Sequence, residues 1–280
     1  MIRLAVRVAR ADAETVLAEL LELAPGGLEE RELSEDAVEY VIYGAPGELP
    51  ALPDLRAAAA GDALVDVSTS EVPDDWSERW KAFHRPVDVS WRLRRLRVRP
   101  PWEAPLDGGI DLVIDPGQAF GTGAHHTTRL CLELLLAAAS GLEPGGALAD
   151  WGCGTGVLAI AAARLGWGPV LACDWDEASV AATRENAALN GAPGIAVERT
   201  DLRRAQGPWA PTMVANLMRP LLLEVAARMT RPPHTLIVSG LLREEADEVA
   251  SAFAHRGLSE ADRRHGGEWS ALRLVRGDAE

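Results

Sequence analysis

The chain has 280 residues, 48% of them apolar, and a net charge of −14. That length points to two domains or one elaborated domain, and the acidity argues against general nucleic-acid binding. No apolar run approaches the ~20 residues that cross a bilayer, and Cys131, Cys153 and Cys173 are too scattered for a disulfide framework or a metal site.

Residues 2–8 alternate apolar and polar and predict a strand without the long apolar centre of a signal peptide, so a cytoplasmic protein is expected. Residues 12–23 carry Val16, Leu17, Leu20 and Leu21 at helical spacing, with Asp12 as the expected N-cap and Pro25-Gly26-Gly27 as the stop. Strands are predicted over 28–33 and 37–43, turning at Ser34-Glu35-Asp36. A helix over 49–60, closed by Gly61, and a strand over 64–69 follow. The order βαββαβ is that of a small ferredoxin-like α+β domain over residues 1–70. This stretch holds 5 Arg and 14 Asp or Glu, hence −9, against −5 for the other 210 residues. It contains no catalytic constellation, so it reads as a recognition module. Its acidity is either a guide for a basic partner or a solvated surface.

Residues 71–90 predict a linker, with a helix over about 75–83 that puts Trp76, Trp80 and Phe83 on one face. His84 reads as structural. Residues 91–99 predict one strand bearing five arginines, and the catalytic domain, 91–280, begins there. Arginines interleaved with tryptophan can bind RNA; a solvated arginine face is the alternative.

A strand over 110–115 enters the glycine-rich loop Asp115-Pro116-Gly117 to Gly123, and a helix over 127–139 follows. Thr127 and Thr128 are expected to cap that helix. The loop lacks a P-loop lysine, and His125-His126 lacks a third metal ligand. Residues 147–174 then read strand, glycine loop, helix, strand. Gly152, Gly154 and Gly156 stand at alternate positions after Asp150, Cys153 serves as a small filler, and Asp174 closes the second strand. Asp174 lies where such folds bind a ribose. The dinucleotide fingerprint G-x-G-x-x-G cradles a pyrophosphate, which a carboxylate at 150 would repel. S-adenosylmethionine offers an ammonium, a sulfonium and a ribose without phosphate, and suits both acids. A glycine turn in another doubly wound protein is the bland alternative.

Helices over 177–190, 220–229 and 243–255 alternate with strands over 196–200, 212–215, 235–239 and 270–275. The pattern predicts a mostly parallel, doubly wound α/β sheet whose ligands lie beyond the carboxyl ends of its strands. Asp150, Asp174, Asp201 and Asn216 fall there.

The segments 75–86, 115–130, 150–166, 174–191, 215–222 and 239–249 together resemble one family of class I S-adenosylmethionine-dependent methyltransferases. It is the bacterial methyltransferase of large-subunit ribosomal protein eleven. The loop D-P-G-x-A-F-G-T-G-x-H-x-T-T carries the resemblance most specifically. The resemblance implies cofactor contacts at Thr128, Gly152, Asp174 and Asn216. It also implies binding of the ribosomal protein by residues 1–70, and methylation of lysine side chains and the α-amino terminus. Trp151, His126, Thr212 and Pro232-Pro233-His234 depart from the family's pattern. Methyl transfer needs a neutral amine, so Asn216 and the backbone just after it are the expected positioning groups. His125 is either a proton acceptor or a residue that shapes the loop. Methylation of ribosomal RNA or another nucleic acid, methylation of a different protein, and cofactor binding without turnover are the alternatives. Leu217-Met218-Arg219 in place of a Pro-Pro-aromatic run argues against a nucleobase acceptor.

Overall fold

The structure is a computed structural model that describes residues 2–13, 16–17, 20, 28–34, 36–44, 64–71, 84–115, 120–141 and 146–277. It divides into two compact units, 1–82 and 83–280.

In the first unit, β1 (Ile2–Ala9), β2 (Glu29–Ser34), β3 (Ala37–Gly44) and β4 (Leu64–Glu71) form an antiparallel sheet of order β2-β3-β1-β4. Alternation places Leu4, Val6 and Val8 with Val38, Tyr40 and Ile42 on one face, where they bury Val16 and Leu20. On the other face Glu39 is buried between Arg3 and Arg7, and it accepts from both guanidiniums. Asp12 is the last residue of a 3₁₀ turn, Arg10–Asp12, at whose start the Arg10 N–H donates to the Asp36 carbonyl; residues 14 and 15, which an Asp12 cap would serve, lie outside the described residues. The stop at 25–27, the helix over 49–60 and the linker helix with Trp76, Trp80 and Phe83 lie outside the described residues.

The second unit is built on a seven-stranded sheet of order β10-β9-β8-β11-β12-β14-β13. Its parallel strands are β8 (Leu148–Trp151), β9 (Val170–Asp174), β10 (Ala196–Arg199), β11 (Thr212–Asn216) and β12 (Thr235–Leu242). β13 (Leu258–Gly266) and β14 (Trp269–Arg276) add an antiparallel hairpin at one edge. Helices α1 (His126–Gly141), α2 (Val157–Leu165) and α3 (Glu177–Leu189) cover one face. Helices α4 (Arg219–Arg228) and α5 (Ala246–Ala254) cover the other. Among the described residues no helix is long and apolar enough to cross a membrane.

Three elements differ from the sequence expectations. The single strand over 91–99 is a hairpin, β5 (Val87–Trp91) and β6 (Arg94–Arg99), reversing at Arg92 with φ 52°. Val87 and Val89 pair with Val98 and Leu96, so the apolar face begins four residues before Trp91. β7 (Ile110–Val113) joins β6 in parallel to make a separate three-stranded sheet. β13 is unexpected because residues 259–266, apart from Ala261 and Gly266, are polar and put charged side chains on both faces, as an edge strand can. β12 continues past Ser239 through a register shift at Gly240, and the following helix starts later than expected, after a 3₁₀ turn at Arg243–Glu245.

Asn186 in α3 and Asn190 at its C-terminal cap tie this small sheet to the large one. Asn190 accepts from the Val113 N–H at 2.8 Å and donates to its carbonyl at 2.6 Å, standing in for a further strand beside β7. Asn186 accepts from the Asp115 N–H and donates to the Thr155 carbonyl in the glycine loop, each at 2.9 Å. Replacing Asn190 with alanine would strand both backbone groups of Val113 in a buried setting. We predict that Asn190→Ala destabilises the protein by ~1–3 kcal/mol, measured by urea melting. An unchanged midpoint would show that water replaces the amide.

Candidate functional site

β8, β9 and β11 are neighbours, and β8 stands where the chain turns from building one side of the sheet to building the other. Ligands bind at such a switch point, beyond the carboxyl strand ends. The structure brings Asp150, Asp174 and Asn216 together there. Asp201 is placed otherwise: it follows the edge strand β10, and its carboxylate accepts from Arg203 Nε at 2.9 Å.

Asp150 is fully buried. Its Oδ2 accepts from the Ala159 N–H at 3.0 Å, and among the described residues its Oδ1 has no hydrogen-bond partner. Burial pushes this carboxyl up to about 7, helped by the Asp174 charge and opposed by the Ala159 N–H. An orphaned buried carboxylate oxygen is a site for a cation or a donor. The ammonium of S-adenosylmethionine fits that need.

The glycine loop runs from β8 into α2 with Gly152, Gly154 and Gly156 at φ 77°, 53° and 82°. Such angles favour glycine. At Gly154 a Cβ would also lie 2.2 Å from the Phe120 carbonyl oxygen. That oxygen instead accepts from the Thr155 N–H at 2.9 Å, which draws the residue 120–123 loop against the glycine loop. Asp174 is mostly buried and accepts from the N–H groups of Gly154 and Asp176, each at 3.0 Å. These bonds hold a carboxylate at the tip of β9, where a ribose would meet it.

Asn216 ends β11. Its Nδ2 donates to Thr127 Oγ1 at 3.2 Å and Thr128 Oγ1 at 3.4 Å. Both threonines are buried at the start of α1. Their hydroxyls therefore serve Asn216 and do not cap the helix as expected. His125 caps it: its Nδ1 accepts from the Thr127 N–H at 3.4 Å and lies 2.8 Å from Thr127 Oγ1. The His125 ring also meets Phe120 and Trp269 edge-on, at 5.6 and 4.9 Å between centroids. Burial, with His126 beside it, holds its pKa below the usual histidine value. A neutral ring whose Nδ1 is already occupied matches the loop-shaping role.

After Asn216 the chain bends over β12. The Leu217 N–H donates to the Ser239 carbonyl at 3.0 Å, and the Leu217 carbonyl lies against Gly240, where a Cβ would be 2.3 Å away. Phe120, Trp175 and Met218 are exposed apolar side chains beside these loops. Cys131, Cys153 and Cys173 are buried with their thiols pushed up by burial, Cys173 to about 12, so none is a nucleophile. Trp269 and Gly240 were not singled out in the sequence: the first stands one residue before the strand predicted over 270–275, and the second marks a register shift visible only in pairing.

The folded Asp150 carboxyl titrates near 7 against an ordinary value of 3.8, so the fold prefers its protonated form. Its contribution to stability is complete below pH 4 and lost as the pH rises to about 7. Without cofactor, the parent is expected to lose stability relative to Asp150→Asn by a few kcal/mol between pH 4 and 8. Paired urea melts across that range measure it, and a constant difference would mean that the carboxylate ionises without penalty.

Residues 5–277 match the model of the family described as Ribosomal protein L11 methyltransferase (PrmA). A protein of that name from Geotalea uraniireducens is 40% identical over 71% of this chain and 67% of its own length. Another, from Myxococcus xanthus, is 34% identical over 88% of this chain and 96% of its own. The crystal structure of ribosomal protein L11 methylase from Lactobacillus delbrueckii subsp. bulgaricus is similar with a TM-score of 0.60 at 28% identity. That match covers 69% of this chain and 98% of the other. A family model that spans both units, joined to acids and an anchored asparagine at the strand ends, leaves one conclusion: the chain belongs to the ribosomal protein L11 methyltransferase family.

Proposed function

We propose that this enzyme methylates lysine side-chain and α-amino groups of ribosomal protein L11, with Asn216 positioning the amine. The protein is a methyltransferase, S-adenosylmethionine is its methyl donor and L11 is its substrate. The family is named for a protein substrate, which favours an amine over a nucleobase as acceptor. The enzyme works in the cytoplasm, where ribosomal proteins are made.

When bound, the donor supplies an electrophilic methyl carbon on a sulfonium. Asp150, through its unpartnered Oδ1, would hold the donor's ammonium, and Asp174 would hold the ribose hydroxyls. Gly152, Gly154 and Gly156 would supply the open turn, and Thr128 and Asn216 would line the site. A free lysine has a pKa near ~10.4 and is almost wholly protonated at neutral pH. Burial beside a positive sulfonium lowers that value, so no strong base is required. What remains is aim, and positioning is a large part of catalysis. The observation that carries this reading is the anchoring of Asn216 Nδ2 by two buried threonine hydroxyls. With Nδ2 taken, Oδ1 is the acceptor that the amide offers an amine N–H. His125 keeps Thr127 in place.

The test is to incubate purified L11 with the enzyme and S-adenosylmethionine, then map increments of one methyl group by mass spectrometry. Lysine and N-terminal increments are expected. Asn216→Ala should keep the fold and reduce the single-turnover rate ~100-fold, the scale of a lost positioning group; a parental rate at saturating cofactor would remove Asn216 from that role.

Residues 1–70 supply recognition. Their −9 attracts a basic ribosomal protein over a distance screened to ~8 Å at physiological salt. The Michaelis constant for L11 should therefore rise with ionic strength while cofactor affinity stays nearly constant. A salt-independent Michaelis constant would reduce this acidity to a solvated surface.

A further inference from the structure

We propose that the tip of the β5–β6 hairpin is a docking surface for the phosphate backbone of RNA, outside the residues assigned to methyl transfer. The hairpin's outer face carries Arg95, Arg97 and Arg99 on β6. Arg97 is held by both carboxylate oxygens of Asp88, and Arg99 by Asp111. The compensation stops there. Arg95 stands opposite Ser90, and Arg94 opposite Trp91. Among the described residues, the side chains of Arg92, Arg94 and Arg95 form no hydrogen bond or ion pair, and all three residues are exposed. Arg95 is felt by Asp88 only through space.

The backbone at the tip is unusual as well. Arg92 sits in the left-handed region at φ 52°, and Leu93 is completely exposed. Alternation sends Arg94 and Arg95 to opposite faces of the ribbon. Cations on both sides of a protruding turn suit a flexible chain of phosphates better than a flat acidic protein surface. One leucine is too little apolar area to hold a lipid bilayer. The Trp91 ring is covered by the Arg264 guanidinium, 4.2 Å from its centroid, so the tip offers charge without a free stacking platform. Binding should therefore be insensitive to base sequence. The overall −14 opposes it at long range, but salt screens that repulsion beyond ~8 Å. The relatives are named for a ribosomal protein, a substrate whose destination is an RNA-rich particle.

The full-length protein would be titrated into fluorescein-labelled single-stranded RNA of mixed sequence and read by anisotropy. Three neutralised phosphates predict affinity falling ~10–20-fold between 50 and 200 mM salt. Arg92→Gln/Arg94→Gln/Arg95→Gln should lose at least ~10-fold in affinity at 50 mM and flatten the salt dependence. The corresponding triple lysine variant should retain both, which separates charge from a folding defect. Methylation of RNA-free L11 should be unchanged in the glutamine variant. Three outcomes overturn the proposal: no RNA binding by the parent at 50 mM, equal binding by the glutamine variant, or loss of L11 methylation in that variant. The last would assign the tip to the protein substrate.

Discussion

The second unit depends on how the glycine loop after β8 is held. Asp150 takes the Ala159 N–H at one end, and Asp174 takes the Gly154 N–H at the other. Between them the Phe120 carbonyl receives the Thr155 N–H, and Asn186 receives nothing from the loop but donates to its Thr155 carbonyl. Four separate elements thus converge on a few peptide groups. The close approach at Gly154 leaves no room for a side chain, so the loop, the residue 120–123 segment and β9 are placed by one constraint. The same bonds fix the positions of both carboxylates at the candidate site.

The two acids differ in the state they reach. Asp174 spends its oxygens on backbone donors and still borders solvent. Asp150 is sealed with one oxygen unpaired. A buried group of that kind is destabilising until a partner arrives. Cofactor binding would therefore relieve a penalty that the unliganded fold carries, and the site's affinity is in part the release of that penalty.

Asn216 shows the same economy at the reacting end. An amide can turn either way, and only its partners decide which end it presents. Two threonine hydroxyls accept from Nδ2, His125 holds one of them, and Trp269 packs against His125. Gly240 allows the chain after Asn216 to lie close over β12. The edge hairpin β13–β14 is thus connected to the Asn216 amide through side-chain packing.

The β8–α2–β9 unit was legible in the sequence because its information is local. Three glycines at alternate positions, an apolar helical run and an acid near the end of each strand are features of neighbouring residues, and they marked the strand–loop–helix–strand order that the structure has. The same holds for the four alternating strands of the first unit. The start of the β5–β6 hairpin, the polar edge strand β13 and the Gly240 register shift were not legible, because no apolar periodicity marked them; β13 had only its flanking glycines, Gly257 and Gly266-Gly267. Tertiary structure alone joined Asn190 to Val113 across 77 residues and Asn216 to Thr127 across 89. A short-range pattern specifies which backbone a residue adopts and which face it buries. The partner of a polar side chain depends on sheet order and loop closure, so only the folded chain decided that Thr127 and Thr128 serve Asn216 and that His125 serves Thr127.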